Sequence, residues 1–126
     1  MNLPNKRILI IEDEQAIRSI LRKRLEANGY DVIVAEDGEE GLAVARQEKP
    51  DLILLDVMLP KRDGYSVCRL LKFDQRYRHI PVVMLTARAQ EKDQKLGQQT
   101  GADAYVTKPF DAAELLATIS SMLKDS

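Results

Sequence analysis

Four apolar runs of this sequence end in residues that could do chemistry. Glu12 and Asp13 follow "RILII" at 7–11, and Asp56 follows "DLILL" at 51–55. Thr86 follows "IPVVML" at 80–85, and Lys108 follows "AYVT" at 104–107. Ionised groups are almost never buried without partners, and desolvating a carboxylate costs several kcal/mol. Two such charges ~4 Å apart repel by about 4 kcal/mol at an effective dielectric of 20. Either one group is protonated or a cation offsets the charge. A hard divalent ion suits oxygen ligands, and Mg²⁺ commonly takes one or two carboxylates while leaving room for phosphate. A hydroxyl and an ammonium alongside, with small Ala87 permitting close approach, complete a place for a phosphoryl group. Asp56 is then the candidate nucleophile, because carboxylates form aspartyl-phosphate intermediates. A cation and Lys108 would stabilise the charge spread over the transferring group.

That chemistry needs the run ends to meet at one edge. With "YDVIVA" at 30–35 there are five apolar runs, continuous rather than alternating, as strands covered on both faces are. A candidate helix follows each, which predicts an α/β fold: a doubly wound five-stranded parallel sheet with helices on both faces. The flavodoxin-like order 2-1-3-4-5 makes strands 1 and 3 neighbours at a switch point, where ligands bind at the carboxyl ends of the strands. Glu12, Asp13 and Asp56 then converge.

The first helix is expected over 14–28, with Ile17, Ile20, Leu21 and Leu25 on one stripe and Asn28-Gly29 as its stop. The second spans 38–48, turns Leu42 and Ala45 inward and ends before Pro50. Asp63 is an N-cap candidate for the third, whose stripe is Val67, Leu70 and Leu71. The fourth, "EKDQKLGQQTG", has Leu96 as its one large apolar residue and Gly97 inside it, which disfavours helix. The fifth follows Asp111, a second N-cap candidate, and carries Leu115, Leu116, Ile119 and Leu123.

The 126 residues fit one domain, read as 5–126. Such a chain buries about two-thirds of its unfolded surface. The net charge of −1 gives no footprint for nucleic acid. Arg22-Lys23-Arg24 and the basic stretch from Arg76 to His79 read as solvated faces. One cysteine, Cys68, allows no internal disulfide and reads as a packing residue. The start has too short an apolar run for a signal peptide, and no segment reaches the ~20 apolar residues of a membrane span. A cytoplasmic protein is expected. His79, the sole histidine, lies in a polar loop and is assigned no catalytic role.

Taken singly, each site residue has an ordinary alternative. Asp56 could be a cap or surface acid, Lys108 a solvated lysine, Thr86 a strand-end residue, and the acids at 12–14 complements to a helix dipole. The functional reading rests on their joint position on one sheet edge.

With those residues in place, "ILIIEDE", "PDLILLDVMLPKRDG", "IPVVMLTA" and "GADAYVTKPF" together resemble the response-regulator receiver domain of two-component signalling. The resemblance spans 6–124. It implies that Asp56 accepts phosphate from a histidine kinase, a phosphotransfer protein or a small phosphodonor. Asp13 and Asp56 would ligate Mg²⁺ (or Mn²⁺ as a substitute), with the Met58 carbonyl as a third protein ligand and Glu12 acting through a metal-bound water. Lys108 and the Ala87 backbone N–H would contact the phosphoryl group. Thr86 would shift towards it, freeing space for Tyr105 to turn inward. A cis peptide is implied between Lys108 and Pro109. Met58 and Arg88 would tune the phosphate lifetime. The helix 4–strand 5–helix 5 face would carry the signal to a downstream protein or output domain, with the weakly apolar fourth helix as the moving part.

Two positions depart from relatives that drive winged-helix DNA-binding domains. Ala104 stands in place of the second aspartate of "GADDY", and Thr118 in place of a helix-5 arginine, which puts that dimer face in question. The chain is expected to be a monomer or a phosphorylation-dependent dimer. It would act as a phospho-acceptor rather than a multiple-turnover enzyme, without direct contact to nucleic acid or membrane. It is either free-standing or the receiver of a longer regulator, and the Met1 start would place any further domain after it. Two rivals remain. A phosphohydrolase or nucleotide-binding enzyme would want a glycine-rich phosphate loop where "IIEDEQA" stands, or, for an aspartate nucleophile of the haloacid-dehalogenase type, a second acid where Met58 stands. A phosphate-independent interaction module would fail to bind Mg²⁺.

Overall fold

The computed structural model describes residues 5–87 and 101–123. The fourth candidate helix and Arg88 lie outside the described residues. The strands are β1 (Arg7–Ile11), β2 (Asp31–Ala35), β3 (Leu52–Asp56), β4 (Val82–Ala87) and β5 (Ala104–Lys108). All pair in parallel in the order β2-β1-β3-β4-β5, the flavodoxin-like order. The described helices are α1 (Gln15–Ala27), α2 (Gly38–Glu48), α3 (Gly64–Lys72) and α4 (Ala112–Leu123). The last of these is the fifth candidate helix of the sequence.

Side chains alternate across the sheet and build two cores. Leu9, Ile11, Ile53, Leu55 and Met84 face α2 and α3, meeting Leu42, Ala45, Val67, Cys68 and Leu71. Ile8, Ile10, Leu52, Leu54 and Leu85 face α1 and α4, meeting Leu21, Leu25, Leu115 and Ile119. Each fully buried Leu or Ile contributes about 1.5–3 kcal/mol relative to exposure. β3, the strand that ends in Asp56, is buried along its whole length.

Capping sets where the helices begin. Asp63 accepts the Ser66 N–H at 2.9 Å, and Asp111 accepts the N–H groups of Ala113 and Glu114. Asp37, which the sequence reading did not single out, caps α2 through the Glu40 N–H at 2.8 Å. α1 ends at Asn28 and Gly29, the latter at φ +88°, where its N–H donates to the Glu26 carbonyl.

Two stripe assignments are corrected. Ile20 is 56% exposed and Leu70 is 37% exposed. Each precedes a buried leucine, Leu21 or Leu71, and one residue is about 100° of helix rotation. The buried stripe of each helix is too narrow to hold both neighbours, and the outer one faces solvent.

Candidate functional site

The switch between β1 and β3 brings the carboxylates together. β1 and β3 end level, with Ile11 beside Leu55, so Glu12 and Asp56 emerge side by side. Carboxylate oxygens of Glu12, Asp13 and Asp56 all lie within 4.8 Å of one another. Glu12 and Asp56 are buried, whereas Asp13 is exposed at the mouth of the cluster. Lys108, at the end of β5, reaches across: its Nζ donates to Asp56 Oδ1 at 3.0 Å and to Glu12 Oε1 at 3.1 Å. The second Glu12 oxygen accepts the Glu14 N–H at 3.1 Å.

Charge does not balance within this group. Three carboxylates against the one ammonium leave two negative charges when all are ionised. Burial pushes the Glu12 carboxyl up to about 7; the Asp56 charge adds to this, while the Glu14 N–H and Lys108 oppose it. For Lys108, burial works to lower the pKa. Hydrogen bonds and attraction from Asp56, then from Glu12, outweigh it and hold the ammonium above the ordinary lysine value. The excess of negative charge, with hard oxygen donors, fits a divalent cation such as Mg²⁺.

Thr86 is the penultimate residue of β4, one past the Asp56–Leu85 pair, and its buried Oγ1 has no hydrogen-bond partner among the described residues. A buried hydroxyl without a partner costs roughly 1–3 kcal/mol, a cost that a hydrogen-bonding group at the strand end would relieve. The backbone of Ala87 pairs with Lys108 at the same edge. The Tyr105 ring packs partly buried against the α2–α3 core. Its hydroxyl is buried and unpartnered among the described residues, and burial raises its pKa. The Lys108–Pro109 bond is cis. Met58 is 70% exposed, so its side chain stands out in solvent rather than filling the rim.

The backbone behind Asp56 is held by a glycine. Gly64 opens α3 with its N–H on the Val57 carbonyl at 2.8 Å, and a Cβ there would lie 2.2 Å from the Asp56 carbonyl oxygen. In sequence the neighbouring Asp63 reads as an N-cap candidate, but the close approach at Gly64 needs the register of the folded loop to be seen. Arg18 was missed altogether. It enters the site region from α1 and donates to the carbonyls of Glu12 and Asp13 at 2.9 and 3.3 Å. An arginine inside an amphipathic helix carries no mark of such a contact in sequence.

Fold and site define a doubly wound parallel sheet with an acid cluster and a lysine at its switch point. The family model for the response regulator receiver domain matches residues 8–120. The chain belongs to this family, the receiver domains of two-component signalling. It is 51% identical over 122 residues to the alkaline phosphatase synthesis transcriptional regulatory protein PhoP of Bacillus subtilis, covering 97% of this chain and 50% of that protein. It is 52% identical over 118 residues to the DNA-binding dual master transcriptional regulator RpaA of Synechocystis, covering 94% of this chain and 49% of that protein. The chain thus spans about half the length of the curated relatives it matches. Among solved structures it resembles the receiver domain of the sensor histidine kinase PA1611 of Pseudomonas aeruginosa, which has a magnesium ion coordinated in its active-site cleft. That match has a TM-score of 0.88 at 32% identity and covers 95% of this chain and 98% of that one. No helix among the described residues is long and apolar enough to cross a membrane.

Proposed function

We propose that this receiver takes a phosphoryl group on Asp56 in a Mg²⁺-dependent reaction and passes the signal through the face of the fourth candidate helix, β5 and α4. The carrying observation is the cluster of Glu12, Asp13 and Asp56, bridged by Lys108, beside an orphaned Thr86 hydroxyl. Asp13, Asp56 and the Met58 carbonyl would hold the ion, with Glu12 acting through a water. When bound, Mg²⁺ would offset the two excess negative charges of the acid cluster and so ease the approach of the phosphoryl group.

The chain's own residues supply the rest. Asp56 is held at the end of a buried strand, so attack geometry is set by the sheet. Lys108 would exchange part of its contact with the acids for a phosphoryl oxygen. Thr86 and the Ala87 N–H would donate to that group, and movement of Thr86 would be coupled to Tyr105. Arg88 and Met58 would tune access of water and hence the lifetime of the phosphate.

The donor would be a histidine kinase, a phosphotransfer protein or a small phosphodonor, and the chain a stoichiometric acceptor rather than a multiple-turnover enzyme. The names of the two curated relatives support a transcriptional readout. Contact with DNA would then fall to an output domain or a downstream protein. The expected compartment is the cytoplasm.

The test is intact-protein mass after incubation with acetyl phosphate and Mg²⁺, alongside Asp56→Asn. One phosphoryl adduct, labile to hydroxylamine and absent from the variant, is the expected result. An adduct that survives in Asp56→Asn would mean that another residue is the acceptor.

A further inference from the structure

Arg18 is 14% exposed in its side chain and is spent on three acceptors. One terminal nitrogen donates to the carbonyl of Glu12 at 2.9 Å and to that of Asp13 at 3.3 Å. The other reaches Glu36 Oε1 at 3.2 Å, at the end of β2. The Glu36 backbone is tied in turn, because its N–H donates to Glu40 Oε1 at 2.7 Å in the first turn of α2, while its side chain is 66% exposed. The Glu12 N–H donates to the Ala35 carbonyl at 3.1 Å, next to Glu36. The two peptide planes that carry Glu12 and Asp13 are therefore tied to α1 on one side and to the β2–α2 turn on the other.

This matters because, among the described residues, the Asp13 carbonyl in the β1–α1 turn takes its side-chain hydrogen bond from Arg18. The N-cap residue of α1, Glu14, makes no side-chain capping bond. Glu12 and Asp13 also repel each other and Asp56, which drives the turn outward when nothing holds it. A guanidinium can span two adjacent carbonyls and a carboxylate at once, since its planar fork offers five donors. An ammonium cannot.

We infer that Arg18 is a positioning residue for the acid cluster: by clamping the Glu12 and Asp13 carbonyls against Glu36, it sets how tightly the cluster takes a divalent cation. This rests on the metal reading proposed above. Arg18 would touch neither ion nor phosphate. Groups that orient ligands from behind typically change metal affinity by about 10–100-fold when removed.

Isothermal titration of the folded chain with MgCl₂ tests this on wild type, Arg18→Met, Arg18→Lys and Glu36→Gln, with Asp13→Asn as the site control. Arg18→Met is expected to weaken Mg²⁺ binding about tenfold. Arg18→Lys should recover only part of the loss, and Glu36→Gln should weaken binding less than Arg18→Met. With acetyl phosphate, the Arg18→Met rate should fall at limiting Mg²⁺ and return to the wild-type rate when Mg²⁺ saturates. A folded Arg18→Met with wild-type Mg²⁺ affinity, whatever its melting temperature, overturns the inference and leaves the metal reading standing. Wild type that binds no Mg²⁺ overturns both. Should Arg18→Met not fold, unchanged affinity in both Arg18→Lys and Glu36→Gln overturns the inference equally.

Discussion

Lys108 Nζ sits 3.0 Å from Asp56 Oδ1, joining the last residues of β5 and β3, two strands that are not neighbours in the sheet. The contact crosses over the end of β4 and also takes in Glu12. It holds one positive charge against two buried negative ones. In the absence of a divalent ion this arrangement is under-compensated, which makes the charges of the site a load on the fold.

Removing one charge of each sign should therefore act in opposite directions. Lys108→Met leaves two buried carboxylates without their cation and should lower stability at pH 8 by roughly 1–3 kcal/mol. Asp56→Asn removes a charge that repels Glu12 and keeps an acceptor for Lys108. It should raise stability by about 1 kcal/mol in metal-free buffer. Urea unfolding in EDTA measures both, and Asp56→Asn less stable than wild type would contradict the account.

The pH dependence follows from Glu12. Its carboxyl moves from an ordinary 4.5 to about 7 in the folded chain, chiefly through burial. Between those values the native state binds more protons than the unfolded state, so stability falls as pH rises. The contribution is fully present below about 4.5 and is lost as pH passes through about 7. The fall should be at most about 3 kcal/mol. Lys108 acts at the other end, its contribution being lost only above the ordinary lysine range. Metal-free unfolding from pH 5 to 8 should show the slope in wild type and lose it in Glu12→Gln.

Gly64→Ala probes the backbone behind the acceptor. The added methyl would lie 2.2 Å from the Asp56 carbonyl oxygen and 2.9 Å from the Val57 Cα, both backbone atoms that cannot swing aside. Either α3 lifts or β3 shifts. Destabilisation of about 3 kcal/mol or more is expected, read by thermal unfolding. A variant as stable as wild type would show that α3 moves freely over β3.

Most of this architecture is legible in the sequence, and for a physical reason. Strands covered on both faces must be continuously apolar, so "LILLD" at 52–56 announces itself, and a charge at its end stands out. The strand order then follows from few choices, and with it the meeting of Glu12, Asp13 and Asp56. Contacts that depend on side-chain reach are another matter. Ile20 and Leu70 look like core residues but lie one step off their stripes. Arg18 looks like a surface residue but ends on two carbonyls. Periodicity gives the direction of a side chain only to within the width of a helix face, which is too coarse for either.

Lys72 is a second charged residue whose work is invisible in sequence. It closes α3, yet its side chain is only 11% exposed. Its three protons have three acceptors: the carbonyls of Arg78 and Ile80 at 2.7 and 2.9 Å, and Asp103 Oδ2 at 2.8 Å. Asp103 Oδ2 also accepts the Val82 N–H at 2.8 Å, so the ammonium ties α3 to the starts of both β4 and β5. Gly101 leaves room for the lysine stem, since a Cβ there would approach Lys72 Cβ to 3.1 Å. Lys72→Met keeps the stem but strands a carboxylate and two carbonyls, and should lower stability by about 2–3 kcal/mol. Asp103→Asn retains an acceptor for Val82 and should lower it by less. In a double variant the losses should fall short of their sum, because both changes break one bond. Urea unfolding of the four proteins measures the coupling, and full additivity would mean that the Lys72–Asp103 bond does not form in solution.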